Sequence, residues 1–199
     1  MKEMTLKEIQ EALGYEIKIV EKKAQKQLVE FEPGETVKLG KFEFIILEQG
    51  NTYTKLLLKD FWKTARFDEN SNNFSESEIF SDLNTNFYNE LSAVVGKENI
   101  IKHSVDLTSD DGRKDYGTVN SNISLLTCDM YREFVEVIDK YRITSDWWWL
   151  VTPFSTASNG YEFAVRCVDD DGASDYDICN FDNGVRPFCI LKSNIFVSE

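Results

Sequence analysis

Residues 147–153 read WWWLVTP, and this aromatic run is the stretch from which the fold is best derived. Successive side chains of a strand point to opposite faces, so three consecutive tryptophans cannot share one face. A buried tryptophan contributes a large apolar area to a core. We therefore expect Trp148 to pack in the core, whereas Trp147 and Trp149 suit an interface or a pocket as well as burial. Pro153 ends the run.

Downstream of this strand the pattern changes from apolar to polar. Residues 163–168 predict a further strand, and residues 185–191 and 194–197 predict closing strands. Between them lies DDDGASDYDICNFDNG, residues 169–184, which we interpret as a loop because it is rich in Asp, Asn, Ser and Gly.

Upstream, two segments have helical periodicity. In residues 76–95 apolar side chains recur at helical spacing, with Ser75 as the expected cap and Gly96 as the end. Thr127 is the expected cap of a second helix. Nearer the N-terminus, residues 38–47 and 53–58 predict paired strands joined by a Gly-Asn turn.

The first residues form a separate unit in this interpretation. Thr5 and Glu8 have the spacing of a capping box, and Gly14 fits the end of a short helix. Residues 15–19 alternate like a strand. We divide the chain into an N-terminal helix-strand element with a linker, residues 1–35, and a main α+β domain, residues 36–199.

Composition excludes several function classes. The 199 residues include 22 basic and 35 acidic ones, a net charge of −13, which disfavours direct binding to nucleic-acid phosphates. Residues 67–199 alone hold 10 basic and 24 acidic side chains. There is no apolar run long enough to span a membrane, and the N-terminus lacks the apolar segment of a secretory signal. We expect a cytoplasmic protein, or a virion protein if a phage encodes it.

The residues needed for catalysis or for a structural metal are scarce. His103 is the one histidine, in an alternating segment that favours a structural role. The four cysteines form no CxxC pair, so a zinc site is disfavoured and buried free thiols are expected. No nucleotide-binding, hydrolase or metalloprotease motif occurs. We predict no cofactor. A loose calcium site remains an alternative, built from Asp169, Asp171, Asp175 and Asp177.

The strongest candidate for a binding site is the polar segment that follows the tryptophans. Small polar residues adapt their hydrogen bonds, and Tyr176 supplies contact area at low entropy cost, as in antibody paratopes. An ordinary solvated loop is the alternative. The predicted ligand-binding residues are Trp147, Asp169, Asp170, Asp171, Ser174, Asp175, Tyr176, Asp177, Asn180, Asp182 and Asn183.

The C-terminal motifs resemble a family of domains of unknown function from gut bacteria and their phages. That family carries a WWLRSP-like string and a terminal GVRPA-like string, which stand here as WWLVTP, residues 148–153, and GVRPF, residues 184–188. Val151-Thr152 replaces the commoner Arg-Ser. The similarity spans residues 37–197. It includes the glycine-bearing strand at 163–172, the helix around Ser81-Asp82-Leu83-Asn84 and Phe87, and the short strand at 123–127.

The resemblance implies a C-type-lectin-like fold, with mixed antiparallel sheets, two main helices and long loops. This fold is shared with formylglycine-generating domains and with the variable proteins of diversity-generating retroelements. It implies that Gly184, Val185 and Arg186 belong to the scaffold, with Arg186 held by hydrogen bonds or a carboxylate. Residues 163–183 would supply the displayed face.

Three functions follow as hypotheses. The first is a non-catalytic module that binds a protein or glycan ligand, with homo-oligomerisation a further expectation by analogy with phage receptor-binding proteins. The second is an acidic inhibitor that occupies the basic nucleic-acid channel of a host defence nuclease, in the manner of an anti-CRISPR protein. The third is an enzyme of the formylglycine-generating type, which would need reactive cysteines such as Cys167 and Cys179 close together.

Overall fold

The computed structural model describes residues 4–16 and 25–198, which form a mixed α/β structure of short helices and three sheets. The helices are α1 (Leu6–Leu13), α2 (Glu78–Asp82), α3 (Tyr88–Val95), α4 (Cys128–Phe134) and α5 (Asp139–Arg142). The strands are β1 (Gln25–Gln27), β2 (Thr36–Leu39), β3 (Phe42–Gln49), β4 (Tyr53–Leu58), β5 (Lys63–Arg66), β6 (Ile100–Ile101), β7 (His103–Asp106), β8 (Thr118–Ser121), β9 (Ile123–Ser124), β10 (Trp148–Pro153), β11 (Ala164–Val168), β12 (Ser174–Ile178), β13 (Asp182–Val185), β14 (Phe188–Lys192) and β15 (Phe196–Ser198).

Two sheets carry most of the chain. The larger has eight strands in the order β1-β15-β2-β3-β4-β14-β6, with β9 also paired to β14. The smaller has five strands in the order β12-β11-β10-β13-β5, and β7 and β8 form a separate ribbon. Strand pairs are antiparallel except that β10 and β13 run parallel, with Trp148 opposite Gly184. The fold is therefore α+β in character, as predicted, with several antiparallel sheets and few helices.

The N-terminal hairpins show how turn residues set strand boundaries. The predicted strand 38–47 is divided in two, because Gly40 adopts a φ of 61° and turns the chain between β2 and β3. The predicted pairing of the next strand is confirmed, since β3 and β4 are antiparallel neighbours on either side of the Gly50-Asn51 turn. The C-terminal strand prediction 185–191 is divided similarly into β13 and β14.

The predicted long helix is confirmed, but its start lies two residues later than expected. Its cap is Ser77, whose hydroxyl accepts from the Phe80 N–H at 3.1 Å. Ser75 instead belongs to a short 3₁₀ turn capped by Asn73. A π-helical segment, Leu83–Phe87, joins α2 to α3, and Gly96 ends the helix with a φ of 83°. Thr127 caps α4 as expected.

The N-terminal helix is also confirmed. Thr5 and Glu8 form the reciprocal capping box, and Gly14 ends α1 in the left-handed conformation with a φ of 75°. No residue of α1 is buried. The predicted strand at 15–19 lies mostly outside the described residues. The strand β1 pairs with β15, and the domain division at residue 35 stays a prediction.

The smaller sheet is covered on both faces, and this decides where the tryptophans lie. Trp149 and Cys167 point into the larger apolar cluster, together with the helices α2 and α3. Trp148 and Val168 point the other way, into a second cluster under α4. Trp148 and Trp149 are consequently both fully buried, whereas Trp147 is half-buried against the larger cluster.

Candidate functional site

The predicted loop at 169–184 is wrong for half of its length, because it contains the strand β12 and most of the strand β13. The edge strand β12 pairs along its whole length with β11, with Tyr176 opposite Arg166 and Asp175 opposite Cys167. Directly opposed residues of an antiparallel pair share a face. Ser174 and Tyr176 therefore lie on the face of Arg166, whereas Asp175 and Asp177 lie on the face of the buried Cys167. The candidate residues are divided between two sides of one sheet.

The carboxylates of Asp175 and Asp177 bind the backbone of their own strand. Asp175 accepts the Tyr176 N–H at 2.8 Å, and Asp177 accepts the Ile178 N–H at 2.8 Å. These two N–H groups point away from β11, because the odd-numbered residues make the ladder, as the Cys179 N–H does to the Phe163 carbonyl. Two outer donors of the edge strand, the N–H groups of Tyr176 and Ile178, are thus satisfied within the chain.

The Asp-rich turn at residues 169–173 is stabilised by hydrogen bonds within the turn and by hydrogen bonds from neighbouring helices. The Asp169 carboxylate accepts the N–H groups of Asp171 and Ala173, at 3.0 and 2.7 Å. The Gly172 carbonyl accepts from the Tyr131 hydroxyl at 2.6 Å and from Arg142 at 2.7 Å. Asp170 and Asp171 are exposed. Asp169 therefore shapes the turn, and its two neighbours are displayed.

The remaining predicted residues separate into exposed and buried ones. Asn180 and Asp182 are exposed. Asn183 is 4% exposed and donates to the Asp177 carboxylate at 3.0 Å. The prediction that Asn183 is displayed to a ligand is therefore wrong. Asn183 is buried because β13 is an inner strand, between β10 and β5. Trp147 precedes β10 and is separated from Tyr176 along the sheet.

The structure adds an aromatic surface that the sequence analysis did not single out. The rings of Phe154 and Tyr176 lie 4.8 Å apart, those of Phe154 and Tyr161 5.6 Å, and those of Tyr161 and Phe163 5.9 Å. Tyr176 is 48% exposed, Tyr161 43% and Phe163 42%. We call these four residues with the exposed Ile178 the aromatic patch. Exposed apolar groups that contact one another in this way commonly mark interaction sites.

The loop at 154–163, which carries three of these rings, is anchored by a buried polar network. Asn72 is fully buried, and its amide nitrogen lies 2.8 Å from the carbonyls of Ser155 and Tyr161 and 2.7 Å from that of Ala164. Its amide oxygen accepts from the Tyr116 hydroxyl at 2.8 Å. Only folding brings Asn72 to this loop, more than eighty residues away, so no sequence signal revealed its role.

Two aspartates fix the same loop from the side. Asp111 accepts from the Ser155 hydroxyl at 2.7 Å, and Asp115 accepts from the hydroxyls of Thr156 and Ser158. Hydrogen bonds from Ser109 and Ser155 hold the pKa of Asp111 below its usual range, and those from Ser158 and Thr156 do the same for Asp115. The loop is therefore a fixed part of the surface.

Arg186 connects the two main sheets. It is fully buried and donates to the backbone carbonyls of Leu58 at 3.1 Å, Tyr141 at 3.0 Å and Lys59 at 2.8 Å. Its guanidinium lies 4.7 Å from the ring of Trp148. Burial lowers its pKa to about 10, so the group stays charged at neutral pH. Arg186 is held by hydrogen bonds, as the resemblance implied.

The groups that catalysis would need are sheltered. His103 Nε2 lies 3.0 Å from the Ser124 hydroxyl, but Ser124 is 1% exposed. All four cysteines are free and buried. Burial raises the pKa of Cys167 and raises that of Cys179 to about 11. These thiols are protonated at neutral pH, which is unfavourable for thiolate chemistry.

The alternative of a calcium site at residues 169–177 finds no support. Across residues 4–16 and 25–198 no group of three or more His, Cys, Asp or Glu side chains is arranged to hold a metal ion. The carboxylates of Asp169 and Asp177 are instead occupied by the hydrogen bonds described above.

None of the helices in residues 4–16 and 25–198 has the length and apolar character that a membrane span requires.

Comparison with known proteins gives one match. A family model described as "Domain of unknown function (DUF6273)" matches residues 52–193, which is more than half of the sequence. The matched region includes β10 to β13, Arg186 and the whole aromatic patch. No curated protein and no solved structure matches the chain.

Proposed function

This chain belongs to the DUF6273 family of domains of unknown function, and we propose that it acts there as a non-catalytic module that binds a protein or glycan ligand. The observation that carries the proposal is the aromatic patch on a fixed surface. One member of the patch, Tyr176, is among the residues that the sequence analysis selected.

The patch has the physical properties of a recognition site. Aromatic side chains supply large contact areas with few rotatable bonds, so little entropy is lost when a ligand orders them. The network around Asn72 positions the supporting loop before any ligand arrives. Preorganisation of this kind increases affinity because less ordering remains to be done on binding.

The C-type-lectin-like fold is part of the same proposal. The support is the motif resemblance at residues 148–153 and 184–188, together with a scaffold in which Arg186 joins Trp148 to three carbonyls of other segments. The proposal includes an origin in a phage or prophage and a place in the cytoplasm or in a virion. Displayed residues would then vary on a constant frame.

The acidic-inhibitor hypothesis remains the rival proposal. It rests on the 24 acidic against 10 basic side chains of residues 67–199. It requires that this chain binds a basic nuclease mainly through its acidic residues. The aromatic patch would not contribute to that binding. Loss of binding in patch variants therefore separates the two proposals.

The experiment is a binding screen of the full chain on glycan and peptide arrays, with three variants. Tyr176→Ser and Phe163→Ser remove rings of the patch. Phe196→Ser removes a ring elsewhere, on β15, that is 63% exposed and so more exposed than either. We expect binding to be lost in the first two variants and kept in the third, with melting temperatures within a few degrees of one another. Binding that survives both patch substitutions would contradict the proposal, as would turnover of a substrate.

A further inference from the structure

We propose that the aromatic patch binds a cationic protein segment, whose lysine or arginine side chains lie over its rings. This inference rests on the proposed function and adds the chemistry of the ligand. It is carried by the charge around the patch and by one contact within it.

The chain segment that carries the patch is strongly acidic. Residues 154–183 hold seven acidic side chains and one basic side chain, Arg166. Glu162 is exposed and stands between Tyr161 and Phe163 in the sequence, and Asp182 is exposed beyond β12. The Glu162 carboxylate therefore attracts a cation that approaches the rings of Tyr161 and Phe163, whereas it repels an anionic ligand.

The one basic residue of this segment does not offset that negative charge. Arg166 has a side chain that is 15% exposed, and its Nε lies 3.7 Å from a carboxylate oxygen of Asp110. It pairs with a carboxylate that lies outside the segment. Its charge is thus sheltered and compensated, and the exposed charges of the segment are all negative.

The patch already holds a cation of the chain itself. The Arg166 guanidinium carbon lies 6.0 Å from the centre of the Phe154 ring, within the range of a cation–π interaction. The exposed rings of Tyr161, Phe163 and Tyr176 offer further aromatic faces beside it. A ligand with several cationic side chains could thus use ring faces and carboxylates together.

The test is selection of a random-sequence peptide library on the immobilised full chain, at about 50 mM and about 500 mM NaCl, between which screening increases several-fold. We expect the enriched peptides to be richer in lysine and arginine than the starting library and to be depleted at high salt. Enrichment should disappear on the Tyr176→Ser variant and persist on Phe196→Ser.

A matched pair of charge variants makes the test specific. Glu162→Gln should weaken the selected peptides about threefold, the size expected for one partly exposed ion pair. Glu133→Gln removes one exposed negative charge on α4 and should leave affinity nearly unchanged. Enrichment of neutral or acidic peptides, or binding of uncharged glycans alone, would contradict the proposal that the ligand is cationic. The proposed binding function itself would not be affected. No binding by any array or library would overturn both.

Discussion

Replacing Asn72 by alanine tests whether the loop at 154–163 is fixed by the buried network. The substitution removes the donors to three carbonyls and the acceptor for Tyr116. The Ala164 carbonyl keeps a second donor, the Phe154 N–H at 3.0 Å, but the Ser155 carbonyl has no other partner described. A buried polar group left without a partner costs about 1–3 kcal/mol.

We therefore expect Asn72→Ala to lower the free energy of unfolding by about 3 kcal/mol, which corresponds to a fall in Tm of about 6–12 °C for a chain of this size. Urea unfolding followed by tryptophan fluorescence measures the loss. Hydrogen exchange should become faster at the amides of residues 154–163 in particular. Asn72→Asp should be more harmful than alanine, because a carboxylate would face the same carbonyls.

The control is Asn70→Ala, an exposed neighbour, which should change stability by less than about 0.5 kcal/mol. If Asn72→Ala changed stability as little as this control, the buried carbonyls would have found other partners. The account of a preorganised patch would then be wrong.

Three further predictions concern the scaffold and the sheltered groups. Arg186→Lys should lower the free energy of unfolding, measured by urea denaturation, by about 2–4 kcal/mol, because an ammonium group cannot reach three separate carbonyls. An unchanged free energy of unfolding would refute the scaffold role of Arg186. Burial lowers the pKa of His103 below its usual 6.5, so the unfolded chain takes up this proton first and stability falls as the pH drops through this range. His103→Gln should lose less stability than the unsubstituted chain on acidification, and equal losses would contradict the burial argument. The four buried thiols should react with a disulfide reagent only after denaturation, and a fast-reacting Cys179 in the native protein would reopen the question of thiol chemistry.

Local signals in the sequence predicted the elements whose causes are local. The capping residues Thr5 and Thr127 and the terminating Gly96 were all identified correctly, because a cap depends on a few adjacent residues. The start of α2 was misplaced because Ser75 and Ser77 both fit a cap. The choice between them depends on Asn73, which draws Ser75 into a preceding turn.

The errors arose where partners distant in sequence determine the structure. The strand β12 consists largely of polar residues, so the sequence lacks the alternation of apolar and polar residues that predicts a strand. Pairing with β11 is what makes this segment a strand. That pairing also explains why Asp175 and Tyr176, adjacent in sequence, point to opposite faces. The sequence does not decide whether Trp149 is buried, because it does not show that the smaller sheet is covered on both sides.

The candidate site was predicted in part. Tyr176 was selected from its polar surroundings and is half-exposed in the patch. Phe154 and Tyr161 were missed because they precede the predicted face and meet Tyr176 only through folding. Phe163 lies in the face that the resemblance implied, but it was not among the predicted ligand-binding residues. Asn183 was selected for its residue type and is buried on an inner strand.

The two aspartates that bind the outer N–H groups of β12 have a consequence for how the protein behaves in concentrated solution. An unprotected edge strand is a template on which another chain can continue the sheet, and this is a common route to fibres and to exchanged segments between molecules. On β12 the donors of Tyr176 and Ile178 are already taken, and each is guarded by a negative charge. The edge strand beside the exposed rings is thereby protected against aggregation. The protein can therefore expose an apolar surface without extending its sheet from one molecule to the next.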